Sequence, residues 1–256
     1  MRVLKSGYMA LVYCFLYLPI AVIVAQSFNA AKYATSWKGF TLAWYRKALA
    51  SPILVEAALN SLWVAVLAAT LATALGTLGA ICIFRYRFRG KALMRGLLLA
   101  LMMVPDIVMG IALLVLFVVL GWTLGFWTLL LAHITFCLPF VVVAVYARLR
   151  DLNPQLVEAA LDLGASEWRA LHSVVLPLML PAIAAGWLLS FTLSVDDVIV
   201  SFFSTGPTFE ILPLRIYSMV RVGVKPEINA LATLLFAIPL FFISLSQLFL
   251  KEGDEK

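Results

Sequence analysis

Residues 158–177 read Glu-Ala-Ala-Leu-Asp-Leu-Gly-Ala-Ser-Glu-Trp-Arg-Ala-Leu-His-Ser-Val-Val-Leu-Pro. This stretch carries three carboxylates, a glycine and a closing proline, in a chain of which 64% of the residues are apolar. On either side lies an apolar segment, near 125–147 and 182–204, that is long enough to cross about 30 Å of hydrocarbon as a helix. A polar segment between two such spans indicates a water-exposed loop of a polytopic membrane protein.

The hydropathy pattern predicts an all-helical protein that crosses the membrane six times. Only 12% of the residues are charged, about half the charged fraction of an ordinary soluble domain. Small residues at 65, 69, 72, 76, 79 and 80 give the second span a narrow face that suits close helix packing. Residues 1–256 are therefore expected to form one transmembrane domain. Its spans are predicted near 8–28, 61–84, 97–120, 125–147, 182–204 and 230–250.

The basic residues predict that both termini lie in the cytoplasm. In that orientation twelve of the nineteen Lys and Arg residues, from Arg2 to Lys256, fall on the inner side, as the positive-inside rule requires. The dense cluster from Arg85 to Arg95 favours a role in topology and headgroup contact rather than in nucleic-acid binding. The segment 148–181 is then a cytoplasmic loop. The outer basic residues are Lys32, Lys38, Arg46, Lys47, Arg215, Arg221 and Lys225.

The loop 148–181 is predicted to form two short helices. Asn153 is suited to cap the first, with Pro154 at its first position, and Gly164 to end it in a left-handed conformation. Ser166 is suited to cap the second helix, and Pro177 to mark the return into the membrane. The first helix carries an apolar stripe of Leu156, Ala159, Ala160 and Leu163.

A short amphipathic helix with acidic residues beside its apolar stripe is suited to docking in a groove of another protein. The alternative is a helix that lies on the lipid surface. The acidic residues disfavour that alternative, because anionic headgroups would repel them.

The loop and several other segments resemble one family of membrane proteins. Glu-Ala-Ala, three residues, Gly, nine residues, an aliphatic residue, any residue and Leu-Pro is similar to the EAA loop in permease subunits of binding-protein-dependent ABC importers, with Val174 in place of the usual isoleucine. Further segments resemble the polyamine branch of that family, the permeases of spermidine/putrescine importers. These are residues 86–90, 105–108, 133–139, 190–197 and 229–233.

The resemblance implies a type I ABC importer permease in the bacterial inner membrane. Its implied partners are a related permease subunit, two ATPase subunits and a periplasmic polyamine-binding protein. No Gly-x-x-x-x-Gly-Lys-Ser/Thr loop is present, so this chain is expected to bind no cofactor, and ATP with magnesium to belong to the ATPase. By resemblance, coupling to the ATPase is assigned to the loop residues Glu158, Ala159, Ala160, Gly164, Glu167, Leu176 and Pro177.

Three carboxylates, Asp106, Asp196 and Asp197, fall within predicted spans. A charged side chain at bilayer depth costs at least about 2.5–3.5 kcal/mol on insertion scales, so each is expected to face protein, water or a cation. Counted from the inner span boundaries, Asp106 and Asp196 lie roughly 14 and 21 Å deep at about 1.5 Å per residue. We therefore place these residues in the path of a cationic substrate.

The fifth span adds hydroxyl groups to these carboxylates. Ser190, Ser194, Asp197 and Ser201 are spaced to share one face of a continuous helix. This face predicts a wall of the substrate path that includes Ser194. Structural roles stay open. Serine also forms hydrogen bonds between transmembrane helices, and Asp197 could pair with an arginine of a partner subunit.

Two further residues are candidates with open alternatives. Trp44, in the first outer loop, is suited either to stack against an amine or to anchor at the membrane interface. His133, inside the fourth span, is expected to be a buried hydrogen-bonding residue rather than a ligand.

The sequence predicts a transporter subunit rather than an enzyme. The three cysteines lie in spans without metal-ligand spacing, so no metal site is predicted. One alternative function is a secondary carrier in which Asp106 or Asp197 carries a coupling proton. Another is an intramembrane aspartyl protease, but its Gly-x-Gly-Asp motif is absent.

Overall fold

The computed structural model describes residues 2–31, 36–222 and 226–251. Lys32, Lys225 and Lys256, which enter the orientation argument, lie outside these ranges. Within the ranges the chain forms helices and no strand, apart from an isolated bridge between Asn29 and Phe40. The helices are α1 (Arg2–Ser27), α2 (Ala43–Leu49), α3 (Pro52–Arg85), α4 (Lys91–Met103), α5 (Asp106–Val119), α6 (Phe126–Asp151), α7 (Gln155–Asp162), α8 (Glu167–Ala170), α9 (Leu176–Asp196), α10 (Ile199–Ser204), α11 (Leu212–Val222) and α12 (Pro226–Lys251).

Several helices are long and apolar enough to cross a membrane. Among the described residues there are four: Ser6–Ser27, Pro52–Arg85, Phe126–Asp151 and Glu167–Asp196. The bent pair α4 and α5 makes a fifth if it is one broken span, and Pro226–Ile238 is apolar but shorter. The prediction of an all-helical, multi-span protein is confirmed, while the count of six spans stays a prediction.

The chain divides into two compact units, which we describe separately. The first contains Met1–Leu59 and Ile211–Phe241, and the second contains Asn60–Glu210 and Phe242–Lys256. In the first unit, buried residues of α2, α3, α11 and α12 pack together, and Lys47 forms an ion pair with Glu227. This unit therefore joins elements that are far apart in the sequence.

The core of the second unit is formed by α3, α6 and α9. A Cβ atom at Gly76 of α3 would lie 2.7 Å from Cγ1 of Val141 on α6, and one at Gly186 of α9 would lie 3.4 Å from the same atom. The two glycines therefore let α3 and α9 approach α6 closely at one valine. The predicted small-residue face of α3 is confirmed, since Ala65, Ala69, Ala72 and Ala80 are fully buried.

The third predicted span, 97–120, is not one continuous helix. It is divided between Met103 and Asp106, and the two halves, α4 and α5, are bent by 114°. Pro105 explains the break, because it lacks an N–H and holds the preceding Val104 in an extended conformation with ψ 130°.

The fifth predicted span, 182–204, is also divided. Helix α9 ends at Asp196, and Asp197 adopts an extended conformation with φ −66° and ψ 128° before α10 begins. At its other end α9 continues from α8 through a π-helical turn at Leu171–Val175. Pro177, expected to mark the return into the membrane, therefore lies just after this π-helical turn within the helix Glu167–Asp196.

Candidate functional site

The loop between α6 and α9 forms the two short helices that its capping residues predict. Oδ1 of Asn153 accepts a hydrogen bond from the backbone N–H of Gln155 at 3.0 Å. Gly164 has a φ of +83°, which confirms its left-handed conformation after α7. Oγ of Ser166 accepts the N–H of Arg169 at 3.3 Å and caps α8. We name residues 153–177 the coupling segment.

The coupling segment presents apolar side chains to its surroundings. Helix α7 has no buried residue, and Leu163 at its end is 89% exposed. Trp168 of α8 is 67% exposed, with its ring centroid 4.5 Å from that of His172. The predicted stripe is thus present, and no element among the described residues covers it. Sequence reasoning included Leu163 but missed Trp168, although a tryptophan in a polar loop is itself a signal.

An ion pair joins the coupling segment to α3. Nη2 of Arg85, the last residue of α3, lies 3.0 Å from Oε2 of Glu167. Arg85 and Glu158 also line a groove of about 430 Å³ between α3, α6 and α7. Glu167 was assigned to ATPase contact, and the structure gives it a contact within the chain. Arg85 was assigned only to topology, because one sequence does not reveal which carboxylate it meets.

Buried polar groups assemble around His133 in the middle of α6. Nδ1 of His133 lies 2.6 Å from Oγ of Ser194, and Nε2 lies 2.8 Å from Oγ of Ser201. Oδ2 of Asp197 lies 3.6 Å from the same Nε2. His133 has no exposed surface, and Asp197 is 8% exposed. We name these four residues the His133 network.

Asp197 is held by several donors within this network. Its carboxylate accepts the backbone N–H groups of Val200 at 3.3 Å and Ser201 at 2.7 Å. It also accepts the Ser201 hydroxyl at 2.8 Å. Because the proton of the Ser201 hydroxyl is donated to Asp197, Nε2 of His133 is the donor to Oγ of Ser201. Three of the four residues of the predicted polar face therefore meet, but a helix break and His133 bring them together, and Ser190 lies outside the network.

Asp106 and Asp196 lie outside the His133 network, and both are exposed. Asp106 is the first residue of α5, after the bend, and Asp196 is the last residue of α9. Helix α5 packs tightly against α10, since a Cβ atom at Gly110 would lie 2.7 Å from Cδ2 of Phe203. Both carboxylates thus stand at helix ends and are exposed in this chain.

Trp44 belongs to the first unit and lies on α2. Its Nε1 donates to the backbone oxygen of Asn29 at 2.8 Å. Asn29 is buried and binds the neighbouring turn, where its Oδ1 accepts the N–H groups of Ala31 and Lys38 at 3.0 Å. Trp44 therefore ties α2 to this turn, and its ring is half-buried.

Comparison with known proteins agrees with these features. Residues 72–251 match the family described as binding-protein-dependent transport system inner membrane component. The chain is 54% identical over 251 residues to the spermidine/putrescine transport system permease protein PotC of Escherichia coli K12, covering 98% of this chain and 95% of that protein. It is 43% identical over 230 residues to the putrescine transport system permease protein PotI of the same organism, covering 87% and 82%.

Solved structures share the fold at low sequence identity. A bacterial ABC transporter involved in the import of the acidic polysaccharide alginate has a chain that superposes with a TM-score of 0.74 at 16% identity, covering 96% of this chain and 94% of that chain. An amino acid ABC transporter gives a TM-score of 0.64 at 19% identity, covering 83% and 100%. With the family match and the identity across nearly the whole chain, the conclusion is direct: the protein belongs to the family of inner membrane components of binding-protein-dependent transport systems.

Proposed function

We propose that this chain is the permease subunit of an ATP-driven importer that moves polyamines from the periplasm to the cytoplasm. The observation that carries the proposal is 54% identity, over 98% of the chain, to a permease named for spermidine and putrescine transport. The exposed apolar residues of the coupling segment support it, because a permease without its own nucleotide site needs a surface that receives force from an ATPase.

The proposed assembly contains this chain, a related permease, two ATPase subunits and a periplasmic polyamine-binding protein. The chain crosses the bacterial inner membrane six times, with both termini in the cytoplasm. In this orientation the coupling segment faces the ATPase, and Leu163 and Trp168 enter its groove. ATP and magnesium belong to the ATPase subunits.

The coupling segment is suited to pass motion to the membrane helices through two direct connections. One is covalent and helical, since Glu167–Asp196 runs from α8 through the π turn into α9. The other is the ion pair from Glu167 to Arg85 at the end of α3. A movement of α8 would therefore displace two of the three core helices together, which is the rigid-body motion that alternating access requires.

The exposed carboxylates Asp106 and Asp196 and the buried carboxylate Asp197 have different proposed roles. Asp106 and Asp196 replace part of the hydration of the cargo's amines as these cross. Asp197 and Ser194, held in the His133 network, fix the break between α9 and α10 that leaves Asp196 at a helix end. Weak, hydrated contact suits this path, because cargo must leave as well as enter.

The test is transport by the complete assembly in proteoliposomes. ATP enclosed in the vesicle lumen should drive accumulation of labelled spermidine or putrescine that the binding protein delivers from outside. A protonophore should leave the rate of uptake unchanged. Uptake that persists without ATP and collapses with the proton gradient would instead identify a secondary carrier. ATP-driven uptake of a neutral sugar but of no polyamine would overturn the cargo and retain the permease.

A further inference from the structure

A second groove opens where the end of α3, the start of α4 and the end of α6 meet. Its volume is about 260 Å³. We name it the arginine groove, because Arg95 of α4 and Arg150 of α6 line it beside Tyr146. It lies at the same end of these helices as the polar segments 86–90 and 152–154, so it stands at the boundary between hydrocarbon and water.

Neither arginine of the groove forms an ion pair with a carboxylate of the described residues. Nη2 of Arg95 donates to the hydroxyl of Tyr146 at 2.8 Å, and its guanidinium carbon lies 5.3 Å from the centre of that ring. These contacts orient Arg95 without neutralising its charge. Among the described residues, no carboxylate lies within 4.0 Å of the charged nitrogens of Arg95 or Arg150.

The remainder of the groove is apolar and extends into the depth of the membrane. Leu98 and Leu99 follow Arg95 by one turn of α4, and Val142 and Val143 precede Arg150 by two turns of α6. Eight residues of helix separate Arg150 from Val142, which is about 12 Å along the axis. Leu99 and Val143 are 56% and 42% exposed, so the apolar wall continues onto the outer face of the helices.

Charge distinguishes this groove from the larger one beneath the coupling segment. The 430 Å³ groove contains Glu158, and its Arg85 is already paired with Glu167. An anion would meet a carboxylate there and two unneutralised guanidinium groups in the arginine groove. Basic pockets between transmembrane helices on the cytoplasmic side are where anionic lipid headgroups bind.

We propose that the arginine groove binds one anionic phospholipid. Its phosphodiester contacts Arg95 and Arg150, and its glycerol and first acyl carbons lie against Leu98, Val142 and Val143. The remaining acyl chain follows the exposed apolar face of α4 and α6. The inference needs only that α6 crosses the membrane, so it stands whatever the cargo is.

Native mass spectrometry of the intact transporter tests this proposal with two lipids of identical acyl chains. Phosphatidylglycerol should bind more tightly than phosphatidylcholine, and the double variant R95Q/R150Q should weaken phosphatidylglycerol by about 30-fold while leaving phosphatidylcholine unchanged. R87Q/R89Q is the matched control, since these arginines are in the adjacent turn and do not line the groove. Free glycerol phosphate should not compete.

A second variant keeps both charges and removes the space. The indole ring of V143W should occupy the apolar part of the groove and reduce phosphatidylglycerol binding, while Arg95 and Arg150 are both retained. Equal affinity for the two lipids, or equal losses in R87Q/R89Q and R95Q/R150Q, would overturn the proposal. So would a photoactivatable phosphatidylglycerol that labels no residue of α4 or α6 while a partner subunit crosslinks to the groove.

Discussion

Nη2 of Arg85 lies 3.0 Å from Oε2 of Glu167, an ion pair that connects the end of α3 to the coupling segment, which we propose meets the ATPase. The side chain of Glu167 is 72% exposed and that of Arg85 is 29% exposed. Exposed ion pairs contribute about 0–1 kcal/mol to stability, so this pair matters for which elements move together rather than for folding.

Reversing one charge of this pair should uncouple the transporter. Arg85→Glu or Glu167→Arg should lower polyamine uptake per ATP hydrolysed several-fold, because like or unpaired charges separate α8 from α3. The double exchange should restore much of the coupling. Uptake and phosphate release in the same proteoliposomes measure this ratio. A double variant no better than either single variant would argue that the pair carries no motion.

Gly164 should be sensitive to side-chain type although its surroundings are open. A Cβ atom there would meet nothing within 4 Å, so only its φ of +83° opposes substitution. A left-handed conformation costs an L-residue about 1–2 kcal/mol, and asparagine tolerates it best. Gly164→Val should therefore abolish ATPase stimulation by the loaded binding protein, and Gly164→Asn should retain most of it.

The control for this prediction is Gly96→Ala. Gly96 also has nothing within 4 Å of a Cβ atom, but it lies inside α4 with an ordinary helical φ. Alanine should be neutral or stabilising there by up to about 1 kcal/mol. Equal stimulation in Gly164→Val and the wild type would show that the end of α7 does not govern docking.

The sequence predicts the coupling segment well because its signals are local. Asn153 and Ser166 bind backbone groups two and three residues away, and Gly164 acts through its own φ. Pro105 likewise contains the information for its helix break, although the apolar pattern around it favours one span. The apolar pattern predicts how long a membrane-spanning segment is, but it does not predict the angle between two halves of a broken helix.

The His133 network could not be predicted from one sequence. His133 meets Ser194 and Ser201, which are 61 and 68 residues away, so spacing contains no record of the contact. The helix break at Asp197 has a weak local signal, since aspartate is a preferred N-cap and Ser201 is four residues on. Because residues 182–204 were expected to form one continuous helix, the break at Asp197 was not predicted.

Ser194 should contribute to stability through His133. Ser194→Ala leaves Nδ1 of a fully buried ring without its partner at 2.6 Å, which should cost about 1–3 kcal/mol. Ser190→Ala is the matched control, because Ser190 is one turn earlier in α9, equally buried and outside the network. Thermal unfolding of the detergent-solubilised complex compares the two. Equal losses of stability would contradict the hydrogen bond to His133.

Asp196 and Asp197 should separate into a transport residue and a structural residue. Asp197→Ala removes the acceptor of two backbone N–H groups and one hydroxyl in a buried site, so it should lower the unfolding temperature and the yield of assembled complex.

Asp196→Asn changes an exposed residue at the end of α9 and should leave the unfolding temperature and the yield of complex unchanged. It should slow uptake at low polyamine concentration, because a carboxyl group of the proposed path is replaced by an amide while assembly is intact. Uptake over a range of spermidine and putrescine concentrations, with binding-protein capture measured separately, would detect this. Unchanged uptake at every concentration in a fully assembled Asp196→Asn complex would remove that carboxylate from the path and leave Asp106 as its remaining exposed candidate.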